Sequence, residues 1–549
     1  MRRPSSGQLR PSSHQAAARR KVPLILVLAL DALDPDLFDR FRAEERLPVL
    51  SRLAERGRLE RLRSTFPPVS LPAWSTFLTG VGPGRHGLFD FTRLEAGRVH
   101  FQNAADRTTP TLLDLLDRAG VRCASIGVPS TYPAAQLAHG AVLSGFDSPL
   151  VGRPDARAMQ PLELWQTLHL DGVDLKTSEL PEGRKGRNWH PRARREILAS
   201  IERRVAQTLG LLARRNFDLM LVHFQAADTA GHHFTRFFDA DSPRYDSRYP
   251  DRARVIPEVY SALDRAVGRL WSACGDDASL VVVSDHGMGP ASDCVVYLNR
   301  WLEQQQLLVT RRVPLNRALE GLRRASLRWL PRELQASLFR RLRDSLVPRL
   351  ESRLRLHHVD RAASAAFSEE SSTLPGVWVE DPSREDEIFA RLQRWDAVRR
   401  VYRRRELYSG PECERAPQLL LELRHSLVRT PSGYRGPAVR RLDPAEFDGE
   451  RGTGLNGVHR PEGVLLISAN GEPVERTRTP WIGDLAPSLL AALGVAIPSW
   501  MEGTPLEELA PRPVYADAPA DAPDLPKHRL SRRERARIDR RLRALGYLE

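Results

Sequence analysis

Runs of apolar, often β-branched residues recur along this chain at strand length, with stretches of helical spacing between them. The runs are Val22–Leu30, Cys123–Val128, Ala141–Ser144, Leu219–Phe224 and Leu280–Ser284. A strand that is apolar at nearly every position must be covered on both faces. Alternation with helices then predicts an α/β fold: a mostly parallel central sheet with helices on both faces. Two runs stop abruptly at polar residues, Val22–Leu30 at Asp31 and Val281-Val282-Val283 at Ser284-Asp285-His286-Gly287. Parallel sheets deliver ligand-binding groups at that carboxyl edge. The prolines around Ser70 enforce an extended approach, and the stretch after Pro72 is expected to be helical with that proline in its first turn. Ser70 would then sit just before a helix N-terminus, where amides and the macrodipole favour an anion. Asp228 and His232 follow the Leu219–Phe224 strand at an i, i+4 spacing, so a helical turn there puts both on one face.

From about 301 to 358, Leu, Trp and Phe recur at near-helical spacing among many arginines. This predicts a helical insertion with a solvated basic face over an apolar seam; a lid over the site, or a surface for a membrane or partner, are the alternatives. The sheet pattern is expected to resume near Ala365, to continue through Gln418–Leu423, and to reach a glycine-rich loop and strand at Gly452–Ile467. Ser531–Gly546 reads as a basic, charge-laced helix. The expected organisation is a disordered basic tail (1–20), a first part of the core (21–300), the insertion (301–358), a second part of the core (359–515) and a C-terminal linker and helix (516–549).

Charge and cysteine content narrow the function classes. The chain has 549 residues and a formal net charge of +14, which invites a polyanion partner. Lysine occurs only at 21, 176, 185 and 527, so nearly all of the 83 basic residues are arginine. Beside abundant Ala, Leu and Pro, this reads as compositional bias, and nucleic acid is not the expected partner. Cys123, Cys274, Cys294 and Cys413 are widely scattered, which argues against a disulfide framework and against a cysteine-based zinc site. Arg19-Arg20-Lys21 followed by Val22–Leu30 imitates a secretory signal, but the apolar run is too short to span a membrane and lacks a small-residue cleavage pattern. A strand is the better reading. A cytoplasmic location is expected, with export as the alternative if the segment acts as a signal.

Polar groups at strand ends or in glycine-rich turns are Asp31, Ser70, Asp228, His232, Asp285, His286 and His459. Three Asp and three His are the ligand stock of a two-metal site, with three protein ligands and one open position per ion. Mixed oxygen and nitrogen donors suit zinc, although manganese or iron accept the same groups. Ser70 is a hydroxyl at a helix start, as a phosphoryl acceptor requires. Each residue also has a structural reading: Asp31 as a helix cap, His459 as a loop histidine, His233 as the inward-pointing neighbour in place of His232.

The order of these groups resembles a known pattern. It comprises Asp31 at the first strand end, Ser70-Leu71-Pro72-Ala73-Trp74 running to Leu78-Thr79-Gly80 with Pro83 and His86-Gly87 behind it, Asp228-x-x-x-His232, Ser284-Asp285-His286-Gly287, Gly457-Val458-His459-Arg460-Pro461-Glu462-Gly463 and a late helix at Gly483–Leu490. The chain resembles the alkaline phosphatase superfamily, in its type I phosphodiesterase/nucleotide pyrophosphatase branch. The resemblance implies two divalent ions, one held by Asp228, His232 and His459, the other by Asp31, Asp285 and His286. It implies in-line attack by Ser70 on a small-molecule phosphate ester, a diester before a monoester, and a phosphoseryl intermediate hydrolysed by metal-bound water. A phosphotransferase or phosphomonoesterase on the same site is the alternative within the enzyme class. A non-catalytic protein binding a polyanion or membrane surface is the alternative outside it. Thr65 in Thr65-Phe66-Pro67 is a rival nucleophile, but the separation to Gly80 favours Ser70. Nucleotide-cleaving relatives carry Asn where Ala73 and Phe91 stand, which argues against a nucleotide substrate and leaves the oxyanion partner open. Trp74 replaces the Arg of the sulfatase motif, which argues against a sulfatase.

Overall fold

The computed structural model describes residues 23–311 and 359–545, apart from 96–97, 150–151, 177–179, 181–187, 276, 370, 372, 426, 429–434, 449–453, 469–476 and 518–529. The expected tail at 1–20 and most of the expected insertion at 301–358 lie outside the described residues.

The central sheet is built from β1 (Ile25–Leu30), β2 (Arg58–Arg63), β3 (Cys123–Ile126), β4 (Ala141–Leu143), β5 (Met159–Gln160), β6 (Leu219–Phe224) and β7 (Ser279–Val283). A long-range antiparallel pair of β8 (Gly287–Pro290) and β9 (Gly457–Arg460) stands beside it, and β10 (Glu462–Ser468) returns to it. The sheet order is β2-β10-β7-β1-β6-β3-β4-β5. β7, β1, β6, β3 and β4 run parallel, while β10 is antiparallel to both β7 and β2, and β5 to β4. Ala29 of β1 is opposite His223 of β6 and Val283 of β7, so these three strands finish side by side.

The unbroken apolar run of β1 has a simple cause. Leu26, Leu28 and Leu30 enter one core, against the helices Trp189–Leu212 and Val255–Cys274. Ile25, Val27 and Ala29 enter a second core on the other face, against the helices Ser70–Thr79, Leu112–Arg118 and Leu485–Ala492. Neither face meets water, so no alternation survives in the sequence.

Three expectations need correction in detail, and the C-terminal helix, basic as expected, makes contacts that its charge pattern does not show. The first strand begins at Ile25, and the Ser70–Thr79 helix starts at Ser70 itself, so that Pro72 occupies its third position. The strand pattern near Ala365 does not rejoin the central sheet. Ala366–Phe367, Gly376–Val379, Leu419–Leu423 and Val398–Arg403 form a separate antiparallel sheet with its own core. Val398-Arg399-Arg400-Val401 shows why: its arginines face water and its valines are buried, the signature of a one-sided sheet. The C-terminal helix, Arg532–Leu545, is not simply a solvated surface. Ile538 and Leu542 enter the first core, and Arg541 donates to the carbonyls of Phe146 and Ser148. No helix among the described residues is long and apolar enough to cross a membrane.

Candidate active site

The ends of β1 and β7 form the first corner of the site. Asp31 follows β1 and Asp285 and His286 follow β7, all three fully buried. Ser284 ties the two turns together, its Oγ accepting from the amide of Leu33 at 2.8 Å and donating to the carbonyl of His286 at 2.7 Å. Ala32 lies in the left-handed region at φ 57°, an uncommon conformation for a residue with a Cβ and one that collects at functional turns.

The second corner comes from a helix and the β8–β9 pair. Asp228 and His232 lie on the Ala226–Phe238 helix, so the turn that the i, i+4 spacing needed is present. His459 is on β9, opposite Met288 of β8. The helix and the β8–β9 pair meet with no room for side chains. A Cβ on Gly457 would stand 2.4 Å from the carbonyl oxygen of Gly231, and one on Gly231 would stand 2.4 Å from Met288 Cγ. A glycine inside a helix weakens it, and here close approach accounts for it. The amide of Asn456 donates to the carbonyl of His232 at 2.7 Å, locking that contact.

All six predicted ligands converge. His286 Nε2 is 3.5 Å from Asp31 Oδ1 and 3.3 Å from Asp285 Oδ2. His232 Nε2 and His459 Nε2 are each 3.3 Å from Asp228 Oδ1 and 3.0 Å from one another. The rings of His286 and His459 stack with centroids 3.7 Å apart, joining the corners. Two overlapping groups have ligand atoms close enough to share an ion: Asp31, Asp285 and His286, and Asp228, His286 and His459. His286 is common to both.

The donor set fits divalent metal. Each imidazole commits its Nδ1–H to a backbone carbonyl: His232 to Gly457 at 2.8 Å, His459 to Pro68 at 2.8 Å and His286 to Gly287 at 3.1 Å. A carbonyl can only accept, so the proton is on Nδ1 and a neutral ring turns a bare Nε2 inward. Lone pairs of nitrogen and carboxylate oxygen then face one another at close range, an arrangement that repels unless a cation lies among them. Asp31 Oδ1 and Asp285 Oδ2, both buried in this space, accept no hydrogen bond among the described residues. Burial, and then the charge of Asp31, pushes Asp285 well above the usual carboxylate range. Burial, and then His459, holds His286 well below the usual imidazole value. A bound divalent ion reverses the first tendency and reinforces the second, favouring ionised carboxylates and neutral imidazoles together.

Ser70 Oγ lies 3.1 Å from His286 Nε2, at the junction of the corners. The hydroxyl of Thr65 instead donates to the carbonyl of Pro67 at 2.9 Å. His233 packs its ring edge-on against Trp189, 4.9 Å between centroids. His86 accepts from the amide of Leu88 through Nδ1 and pairs with Thr76 through Nε2. Ala73 and Phe91 are apolar core residues on opposite faces of the sheet.

The sequence profile of type I phosphodiesterase/nucleotide pyrophosphatase matches residues 25–426. The chain belongs to that family. This phosphodiesterase-family chain is therefore a phosphoric ester hydrolase of the alkaline phosphatase superfamily, with candidate metal ligands at its sheet edge. No curated protein matches it. Among solved structures, it is similar to phosphonoacetate hydrolase from Sinorhizobium meliloti 1021 in complex with phosphonoformate, and equally to the complex with phosphonoacetate. Identity is 16% over 85% of this chain and 94% of that one, at a TM-score of 0.53. Murine ectonucleotide pyrophosphatase/phosphodiesterase 5 is 14% identical over 86% of this chain and 95% of that one, at a TM-score of 0.44.

One supporting residue of the phosphodiesterase site escaped the sequence reading. His223 donates from Nε2 to Asp31 Oδ2 at 2.9 Å, leaving Oδ1 turned into the site. Its ring stands edge-on to Trp74 at 5.2 Å. The available signal was a single imidazole within the buried apolar run of β6, one residue before the strand ends.

Proposed function

We propose that this enzyme hydrolyses small-molecule phosphodiesters through Ser70, using two divalent ions held by Asp31, Asp285 and His286 and by Asp228, His232 and His459. The observation that carries the reading is the position of Ser70 Oγ, 3.1 Å from the imidazole nitrogen shared by both candidate ligand groups. Divalent ions there, zinc matching the mixed nitrogen and oxygen donors, would supply Lewis acidity at the phosphoryl oxygen and offset charge on the entering and leaving oxygens.

The chain's own groups account for the remainder. Ser70 Oγ forms the new bond to phosphorus while the bond to the leaving alcohol breaks on the opposite side. The alcohol departs with a proton, and the phosphoryl group stays on the serine. Water then cleaves the phosphoserine, restoring Ser70 and releasing the monoester. The Ser70–Thr79 helix has no side-chain cap at its first turn, and the amides of Ser70 and Leu71 at that helix start would favour an anion beside the nucleophile. This supports backbone stabilisation of the oxyanion where Ala73 and Phe91 offer no polar group. Charge supports a diester. Three carboxylates against two dications would leave a single excess positive charge, matched to a diester's single negative charge.

The test is a panel of phosphate monoesters, diesters and sulfate esters on metal-replete protein. Ser70→Ala should lower bis-aryl phosphate turnover by roughly 10³-fold or more while metal content stays unchanged. Thr65→Ala should remain active. Retained turnover in Ser70→Ala, with loss in Thr65→Ala, would move the nucleophile.

A further inference from the structure

The same carboxyl edge holds a second polar feature, on the far side of His223 from the metal ligands. Gly127 follows β3 and Gln225 follows β6. Between them and the Trp189–Leu212 helix lies a small cavity of about 30 Å³. Arg203, Arg204, Lys176, Gln207, Ser200 and Gln225 contribute to its wall, and no acidic side chain does so among the described residues.

The two arginines differ. Arg203 is neutralised by Glu196 and, at 3.9 Å, by Asp174. Arg204 has no acidic partner among the described residues. Its hydrogen bond is from Nη1 to Gln207 Oε1 at 2.8 Å, and the Gln207 amide donates onward to the carbonyl of Asp174 at 2.7 Å. Burial and the neighbouring Arg203 lower the Arg204 guanidinium to about 10. An uncompensated cation in such a place is destabilising unless something binds it. The backbone makes room for it: Gly127 has φ +75°, and a Cβ there would lie 2.1 Å from Arg204 Nη2. Beside it, the buried Nε2 of Gln225 has no acceptor among the described residues. A guanidinium without a counter-ion and an amide donor without an acceptor, both on an acid-free cavity, call for the same missing chemistry: an oxyanion.

We propose that this cavity is an oxyanion-binding site, separate from Ser70, which takes a phosphate or carboxylate group on Arg204 and Gln225. His223 forms part of the wall and also holds Asp31, so one imidazole separates the two sites. The occupant is either a second anionic group carried by the substrate or free inorganic phosphate. The site binds its anion whether or not Ser70 performs the reaction, so it can be tested without turnover.

Inorganic phosphate titrated calorimetrically into EDTA-treated full chain should bind at one site per chain, equally in the parent and in Ser70→Ala. Arg204→Gln should weaken this binding at least about tenfold, and Arg204→Lys should recover part of it. Circular dichroism checks the fold, and if Arg204→Gln does not fold, Gln225→Leu carries the same test. Absence of phosphate binding to the parent, or undiminished binding in a folded Arg204→Gln, overturns the proposal. Metal-loaded enzyme then distinguishes the sources. If the occupant belongs to the substrate, Arg204→Gln raises KM for a diester with a carboxylate on its alcohol but not for a neutral bis-aryl phosphate. If it is free phosphate, both KM values hold and phosphate loses only the part of its inhibition that does not compete with substrate. No change in either KM or in phosphate inhibition counts against the site.

Discussion

The two halves of the ligand cluster are built by different means. Asp31, Asp285 and His286 sit at the ends of neighbouring parallel strands, where the β1–β7 register and the Ser284 hydroxyl fix them. Asp228, His232 and His459 come from a helix and a strand far apart in sequence, held by glycine-to-glycine contact and by the carbonyls of Gly457 and Pro68. A sheet register cannot slip without turning every core side chain to the wrong face. A docked two-stranded pair can move by a fraction of an ångström with its own pairing intact. The strand-end half is therefore the rigid one, and the docked half is the one that substitutions can uncouple.

The most damaging way to break the comparison is at His286, the strand-end residue that also lies within ligand distance of Asp228 and His459. His286→Ala removes a nitrogen from each candidate ligand group and should abolish both metal binding and ester turnover, with the protein still folded. Elemental analysis and circular dichroism check this together. Retention of two ions would separate His286 from the metal site.

Gly457→Ala should divide the halves. Its Cβ would press on the backbone carbonyl of Gly231, which cannot rotate away. Overpacking of this kind costs roughly 1–3 kcal/mol. The strain falls on β9, so an ion in the docked half should be lost first while the strand-end half keeps its own. Metal content near one ion per chain and a lowered melting temperature are expected. Equal loss of both ions would mean that the cluster behaves as one unit.

A smaller effect tests the support behind the strand-end half. His223→Phe keeps the ring among Trp74 and Phe146 but removes the donor to Asp31 Oδ2. Outer partners of metal ligands are worth about 10–100-fold in affinity. Competition with a chelator should show a loss in that range, and His223→Gln should restore part of it.

The contrast between the halves also marks what could be read from sequence. The strand-end half was legible because the fold writes it locally: an apolar strand stops and its ligands are the next residues. The Asp228–His232 pair was legible through helical periodicity. His459 was legible only through the order of the whole pattern, because β9 is a four-residue strand whose antiparallel partner, β8, lies far away along the chain. The reasons for Gly231, Gly457 and His223 lie in contacts between distant segments, which no local period encodes. The same limit explains the error near Ala365, where short strands signal a sheet without saying which one. It also explains Arg204, which looks like one more arginine on a basic helix until Gly127 shows where its guanidinium goes.

One carboxylate serves as a control for the six-ligand cluster. Asp147 is buried like Asp31 and Asp285, but no imidazole faces it among the described residues. The amide of Ser130 donates to its Oδ2 at 3.0 Å, and Oδ1 accepts no hydrogen bond among the described residues. Burial pushes its carboxyl up to about 6, against the weaker pull of the Ser130 amide and of the Arg541 and Arg107 charges. The folded value lies above the unfolded one, so the fold prefers the protonated acid. Its stabilising contribution is complete below the unfolded value near pH 4, and is lost as pH rises through about 6. A difference of about two pH units corresponds to something on the order of 2–3 kcal/mol. Asn at this position keeps an acceptor for Ser130 and carries no charge. Asp147→Asn should therefore melt close to the parent at pH 4 and above it at pH 7.5. Both proteins should be treated with EDTA, because acid also strips metal from imidazole ligands. A melting difference that does not change with pH would show that Asp147 stays ionised in the folded chain, and that burial alone does not distinguish it from the acids that face the metal.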